Sequence, residues 1–260
     1  MEKINVYDLD GKKKGLIDKP KIFDVKTRTD LIQMASAISQ SKNKQIQGRD
    51  KRAGLRNISE SWGTGHGVSR APRIKGSGFL TARHVGRVPF AKGGRRTHPI
   101  KREKKIKKKI NKRINKLSII SAISASGDKS WVKKGGFIIE NIPEIPLVVD
   151  DKIQTIRKTK KIYSILCNLG LKEDLIKIKK HTKIRAGKGK SRGRKYKKKK
   201  GILIVIKDDF GILKASRNIP GTNIIKLENL SINALAPGGS SGRLILWTQS
   251  AINELHNYEV

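Results

Sequence analysis

Gly201-Ile202-Leu203-Ile204-Val205-Ile206-Lys207-Asp208-Asp209 is the stretch that decides the fold. Five successive aliphatic residues, mostly β-branched, stop at two acids. A run this short, with no polar alternation, reads as a strand buried on both faces. The apolar residues around Ile212 to Ser216 then predict a helix directly after it. Pro146-Leu147-Val148-Val149-Asp150 repeats the pattern, with a helix over Ile153 to Leu169 ended by Gly170. Further strands are expected at Asn223 to Leu227 and Leu244 to Trp247, with a last helix over about Gln249 to Asn257. Strands with little alternation, each followed by a helix, imply an α/β fold: a mostly parallel sheet with helices on both faces.

Outward from that centre, Ile4 to Leu9 reads as a short strand closed by the Asp10-Gly11 turn pair. Asp30 and Gln33 have capping-box spacing, and Leu31, Met34, Ala35 and Ile38 share one face of a helix that fades by Lys44. Lys101 to Ser126 reads as a helix whose first half is nearly all basic. Ile106, Ile110, Ile114, Leu117 and Ile120 keep a stripe beneath that charge. Leu175, Ile176 and Ile178 mark a shorter helix. The expected globular core is therefore residues 1–44 and 100–260.

Residues 45–99 have a different character. No apolar period survives, glycine recurs, and twelve Lys and Arg face only Asp50 and Glu60. Compact domains seldom hold a structureless connection longer than about 12–15 residues; this one is several times longer, so we expect an extended, non-globular basic loop inserted into the core. A second basic segment, residues 183–200, has no acid at all.

The charge of the whole chain points the same way. With 60 Lys and Arg against 21 Asp and Glu in 260 residues, the formal net charge is +39. Such a chain repels itself unless a polyanion neutralises it. A membrane is excluded as that polyanion's carrier, since Ile202–Ile206 is the longest aliphatic run and a span needs about 20 residues. The N-terminus lacks an apolar signal core, and a lone Cys167 fits a reducing compartment. At 36% hydrophobic residues the chain suits a modest core plus basic segments outside it.

The candidate RNA-contacting residues follow from those segments: Arg49, Lys51, Arg52, Arg56, Arg70, Arg73, Lys75, Arg83, Arg87, Lys92, Arg95 and Arg96 in the first, and Lys183, Arg185, Lys188, Lys190, Arg192, Arg194 and Lys195 in the second. Arginine forks onto phosphate and stacks on bases, and neighbouring glycine lets backbones approach. Trp62, Phe79, His66, His84, His98 and Tyr196 add stacking or phosphate-contacting groups.

Catalytic patterns are weak. Gly189-Lys190-Ser191 resembles the end of a phosphate loop, but Ile184 stands where the first glycine belongs and the strand follows instead of preceding. Gly238-Gly239-Ser240-Ser241-Gly242 matches a nucleophile elbow in letters only, because it precedes a strand. Asp150-Asp151 and Asp208-Asp209 end two strands, where carboxylates could hold Mg²⁺; capping the next helix is the plainer role. No metal, cofactor or catalytic site is expected, and the chain is read as no enzyme.

Four stretches carry a family resemblance. Gly54-Leu55-Arg56-Asn57-Ile58-Ser59-Glu60-Ser61-Trp62-Gly63-Thr64-Gly65-His66-Gly67 closely resembles the loop of the ribosomal protein four family of the large subunit, in its archaeal and eukaryotic form. So do Gly93-Gly94-Arg95-Arg96-Thr97-His98-Pro99-Ile100, Arg185 to Tyr196, and Leu235-Ala236-Pro237-Gly238-Gly239. The resemblance implies an α/β domain on the outside of the large subunit. It also implies a loop that reaches into ribosomal RNA and lines the nascent-peptide exit tunnel, its tip near Arg56 to Phe79. Residues 183–200 would be a second RNA contact. The implied partners are large-subunit rRNA, neighbouring large-subunit proteins and the nascent peptide, with a place on the cytoplasmic ribosome. Heavy use of Lys and Ile departs from the family and reads as compositional bias. An RNA-modifying enzyme would need a glycine-rich strand-to-helix turn, and a DNA packer has little use for so long a glycine-rich loop.

Overall fold

The computed structural model describes residues 2–256. In chain order the elements are β1 (Lys3–Tyr7), β2 (Lys13–Asp18), α1 (Thr29–Lys42), β3 (Ser59–Glu60), β4 (Arg73–Ile74), α2 (Lys112–Ser126), α3 (Lys129–Lys134), β5 (Leu147–Val149), α4 (Thr159–Asn168), α5 (Lys172–Lys180), β6 (Lys183–Ile184), β7 (Tyr196–Lys197), β8 (Leu203–Ile206), α6 (Ile212–Ser216), β9 (Asn223–Lys226), α7 (Ile232–Leu235), β10 (Ile245–Thr248) and α8 (Gln249–Leu255). Two compact units result. One takes in the chain up to Ser41 and again from Lys109; the other is Lys42–Lys108.

The first unit is a mixed α/β structure built on a six-stranded sheet in the order β2-β1-β5-β10-β8-β9. Only β1 and β2 pair antiparallel; every other neighbour is parallel. Side chains alternate across a strand, so the aliphatic run of β8 serves two cores. Leu203 and Val205 join one cluster with Ile4, Val6, Val148, Ile245 and Trp247, covered by α1, α2, α7 and α8. Ile204 and Ile206 join the other with Tyr7, Leu147, Val149 and Leu246, covered by α4, α5 and α6. That double burial is why the strand shows no polar alternation.

Several local expectations need correction. The first strand ends at Tyr7, and the Asp10-Gly11 turn leads into β2, an edge strand left unread because Lys13–Asp18 is almost wholly exposed. Helix α1 begins at Thr29, so Asp30 lies inside its first turn. There it pairs with Arg28 at 2.6 Å instead of forming a capping box with Gln33. Arg28 holds the Asp30 carboxyl below its ordinary range.

The basic helix is shorter than expected: α2 starts at Lys112, and residues 101–111 are not helical. Seven of those eleven residues are Lys or Arg, and like charges one turn apart destabilise a helix, most of all near its positive N-terminal end. The apolar stripe over Ile153 to Leu169 is also split. A 3-10 turn covers Asp151–Thr155 before α4 begins. Helix α8 ends at Leu255, and Asn257 lies outside the described residues. Short α3 and α7 carried no periodic signal.

Arg243 ties the sheet's far half together. It is 4% exposed, and its guanidinium donates to the carbonyls of Gly201 (2.7 Å), Ala234 (2.6 Å) and Ile202 (3.3 Å) and to Asn223 Oδ1 (2.8 Å). Burial without a carboxylate pulls its pKa down to about 10.

Candidate nucleic-acid interface

Between residues 42 and 108 no apolar side chain is buried; Gly86 is the single buried residue. Regular structure amounts to the two-residue pair β3–β4, with Ser59 opposite Ile74 and Glu60 opposite Arg73. Scattered backbone bonds do the rest. Lys75 N–H donates to Ile58 O (3.1 Å), Arg83 N–H to Ile74 O (3.1 Å), Gly86 N–H to Pro72 O (2.9 Å), and Arg49 N–H to Ile100 O (3.0 Å). The path is tight at Gly54 and Gly94, where a Cβ on the first would overlap the backbone of the second. Only glycine fits there.

The candidate side chains divide by what they touch. Arg56 pairs with Asp50 and Lys75 with Glu60, so both acids of residues 45–99 are taken. Arg73 lies 5.3 Å from the Trp62 ring centroid and donates to Arg83 O (3.1 Å), and His66 meets Trp62 edge-on at 5.9 Å. Trp62, Arg73 and His66 are thus brought together. Arg49, Lys51, Arg52, Arg70, Arg83, Arg87, Lys92, Arg95 and Arg96 meet no carboxylate at ion-pair distance among the described residues. Arg83 and Arg87 hold positive φ (61° and 62°), which side chains other than glycine adopt at a penalty. His84 and His98 are exposed and join no histidine cluster.

Two features were not anticipated. The Arg49–Ile100 bond brings the polybasic flank back beside residues 42–48. Lys42, Lys44, Arg102 and Lys107 there line a hollow of about 570 Å³ with no acid in its wall. Its signal in the sequence is the basic run over 101–109, which the structure leaves non-helical. The second is apolar exposure: Phe90 is 77% and Leu80 92% exposed, beside the expected Trp62 and Phe79.

Residues 183–200 fold into a hairpin, β6–β7, with Lys183 opposite Lys197 and Ile184 opposite Tyr196. Arg185 braces it. Its backbone N–H donates to Lys195 O (2.7 Å) and its Nε to Arg194 O (3.0 Å), while Nη2 reaches Tyr196 O at 3.5 Å. Lys188, Lys190, Arg192 and Arg194 are exposed around the turn, and Lys195 Nζ lies 5.6 Å from the Tyr196 ring centroid. Gly189-Lys190-Ser191 sits in this turn, with Ser191 Oγ donating to Lys188 O (2.9 Å).

Three of the four acids at the strand ends, Asp150, Asp151 and Asp209, have structural partners. Asp209 Oδ1 accepts from Gly211 N–H (2.9 Å) and Leu213 N–H (3.2 Å), capping α6. Asp151 Oδ1 accepts from the backbone N–H (2.9 Å) and hydroxyl (2.7 Å) of Ser250. Asp150 is no cap; Lys14 meets it at 2.5 Å. Among the described residues no three His, Cys, Asp or Glu converge as metal ligands. Gly238–Gly242 lies in a turn that leads into β10, not from a strand into a helix.

These features define a class: a highly cationic α/β protein whose charge sits largely on segments outside its two apolar cores. The family follows from comparison. Residues 18–258 match the Ribosomal protein L4/L1 family, and the chain belongs to that family. It is 40% identical over 255 residues to the large ribosomal subunit protein uL4 of Methanococcus aeolicus, covering 98% of both chains. It is likewise 40% identical over 255 residues to that of Methanosphaera stadtmanae, covering 98% of this chain and 96% of the relative. The uL4 protein of Methanopyrus kandleri is 36% identical over 250 residues, 96% of each. The chain is therefore a ribosomal protein of the large subunit, of the archaeal kind, placed on the cytoplasmic ribosome, and it is not an enzyme.

Proposed function

We propose that this chain binds large-subunit rRNA through residues 45–99 and 183–200, supports assembly of the subunit, and lines the nascent-peptide exit tunnel with the first of these segments. One observation carries the reading: from residue 42 to 108 no apolar side chain is buried, while Lys and Arg far outnumber acids. A segment without its own core is ordered by a partner, and a cationic one by a polyanion. The α/β core anchors the chain, and its neighbours are rRNA and other large-subunit proteins. The stretch near Arg56 to Phe79 faces the nascent peptide in this reading.

Sedimentation of a lysate at moderate and high salt tests it. Phosphate contacts at the surface weaken steeply as salt rises, whereas a segment threaded through folded RNA stays. Retention with the large subunit through the high-salt wash is expected; early release into light fractions would overturn the threading. A photo-crosslinker at Phe79 should label a stalled nascent chain, and labelling of rRNA alone would remove the tunnel role.

A further inference from the structure

We infer that the β6–β7 hairpin carries a stacking site for one unpaired RNA base, formed by the Tyr196 ring with Ile184 beside it. The inference rests on the RNA-binding reading above and names what this hairpin recognises.

The two residues are direct cross-strand partners, so their side chains share one face of the hairpin. Both are open to solvent: Tyr196 is 52% exposed and Ile184 63%. An aromatic and a β-branched residue paired in a two-residue ladder would ordinarily be covered by an adjoining core, yet neither belongs to either apolar cluster. Their surroundings are wholly cationic. Lys183 and Lys197 form the adjacent cross-strand pair, Lys195 Nζ lies 5.6 Å from the Tyr196 ring centroid, and residues 183–200 contain no acid. A base needs this combination, with a flat apolar surface for its ring and cations at the reach of its own phosphates.

The platform is also braced. Arg185 donates its Nε to Arg194 O and its backbone N–H to Lys195 O, and it is less exposed than the residues around it. Arg185 is thereby a positioning residue that holds the strand carrying Tyr196. An unpaired base is favoured over a duplex because bases within a helix are already stacked on both faces, and side chains cannot enter the deep, narrow A-form groove.

The test uses the full chain and two probes: an RNA duplex carrying a single bulged adenosine, and the same duplex fully paired. With Tyr196 replaced by 3-fluorotyrosine, the fluorine resonance should shift on binding the bulged duplex and hold still on the paired one. Tyr196→Ala should weaken binding of the bulged duplex by about 5- to 150-fold. Tyr196→Phe should bind as wild type does, and neither change should alter the salt dependence. Lys195→Ala should instead flatten the salt slope by roughly 0.9. Equal losses on both duplexes with Tyr196→Ala, or a fluorine signal indifferent to the bulge while binding persists, overturns the stacking site alone. A wild-type chain that binds neither duplex overturns the RNA-binding reading and the stacking site with it.

Discussion

The sheet unit and residues 42–108 are built from one chain by opposite rules. In the sheet unit each residue from Ile202 to Ile206 is completely buried, and the aliphatic side chains divide between two clusters. In residues 42–108 Phe90, Leu80 and Ile58 are 77%, 92% and 72% exposed, and turns are held by backbone bonds and glycine approaches. The first unit gains its stability from apolar burial, about 25 cal/mol per Å². The second cannot, since it buries almost nothing. The lesson is that apolar burial holds the first unit together and contributes almost nothing to the second.

Proteolysis should separate the two most widely. With the free chain, trypsin should cut within 42–108 and 183–200 at least about a hundredfold faster than in the sheet unit, because cleavage follows local opening. On the large subunit those sites should be protected. Equal rates at all sites would break the comparison.

Truncations in the two regions should differ next. Leu203→Ala or Ile204→Ala should destabilise by about 2–5 kcal/mol in urea unfolding, while Phe90→Ala should stay within about 0.5 kcal/mol. A Phe90→Ala chain that unfolds as readily as Leu203→Ala would show that residues 42–108 have a core after all.

Arg243 sharpens the contrast among cations, since it is the buried one that binds only carbonyl oxygens. Arg243→Met removes four donated hydrogen bonds and should lower stability by about 3 kcal/mol. Arg95→Met, which loses no ion pair, should leave the midpoint unchanged and weaken RNA binding instead.

Asp174 should show the smallest effect. It is 3% exposed, accepts from Ile138 N–H at 3.3 Å, and burial raises its pKa above the ordinary carboxylate value. A raised folded pKa means the native state holds its proton longer than the unfolded chain does. Its contribution is therefore present at low pH and lost as pH rises through the folded pKa. Asp174→Asn should then equal or exceed wild type at neutral pH, by under about 1 kcal/mol, and flatten that part of the stability profile. A chain weakened at neutral pH would show that the Ile138 contact needs the carboxylate.

The sequence by itself determined the parallel sheet, because a strand buried on both faces can only be written as an unbroken aliphatic run such as Ile202–Ile206. It also determined where a core cannot form, because residues 45–99 lack any apolar period. What it could not show was whatever depends on partners distant in the chain. Edge strand β2 was invisible because an exposed strand needs no apolar pattern, only β1 beside it. The helix expected over 101–111 failed because crowded lysines outweighed an isoleucine stripe. The pairing of Ile184 with Tyr196 likewise appeared only when the hairpin closed. Arg243 looked like any other cation until folding surrounded it with carbonyls from Gly201, Ile202 and Ala234. Local composition can be read along a line, but burial and pairing are properties of the closed chain, and only the tertiary structure decides them.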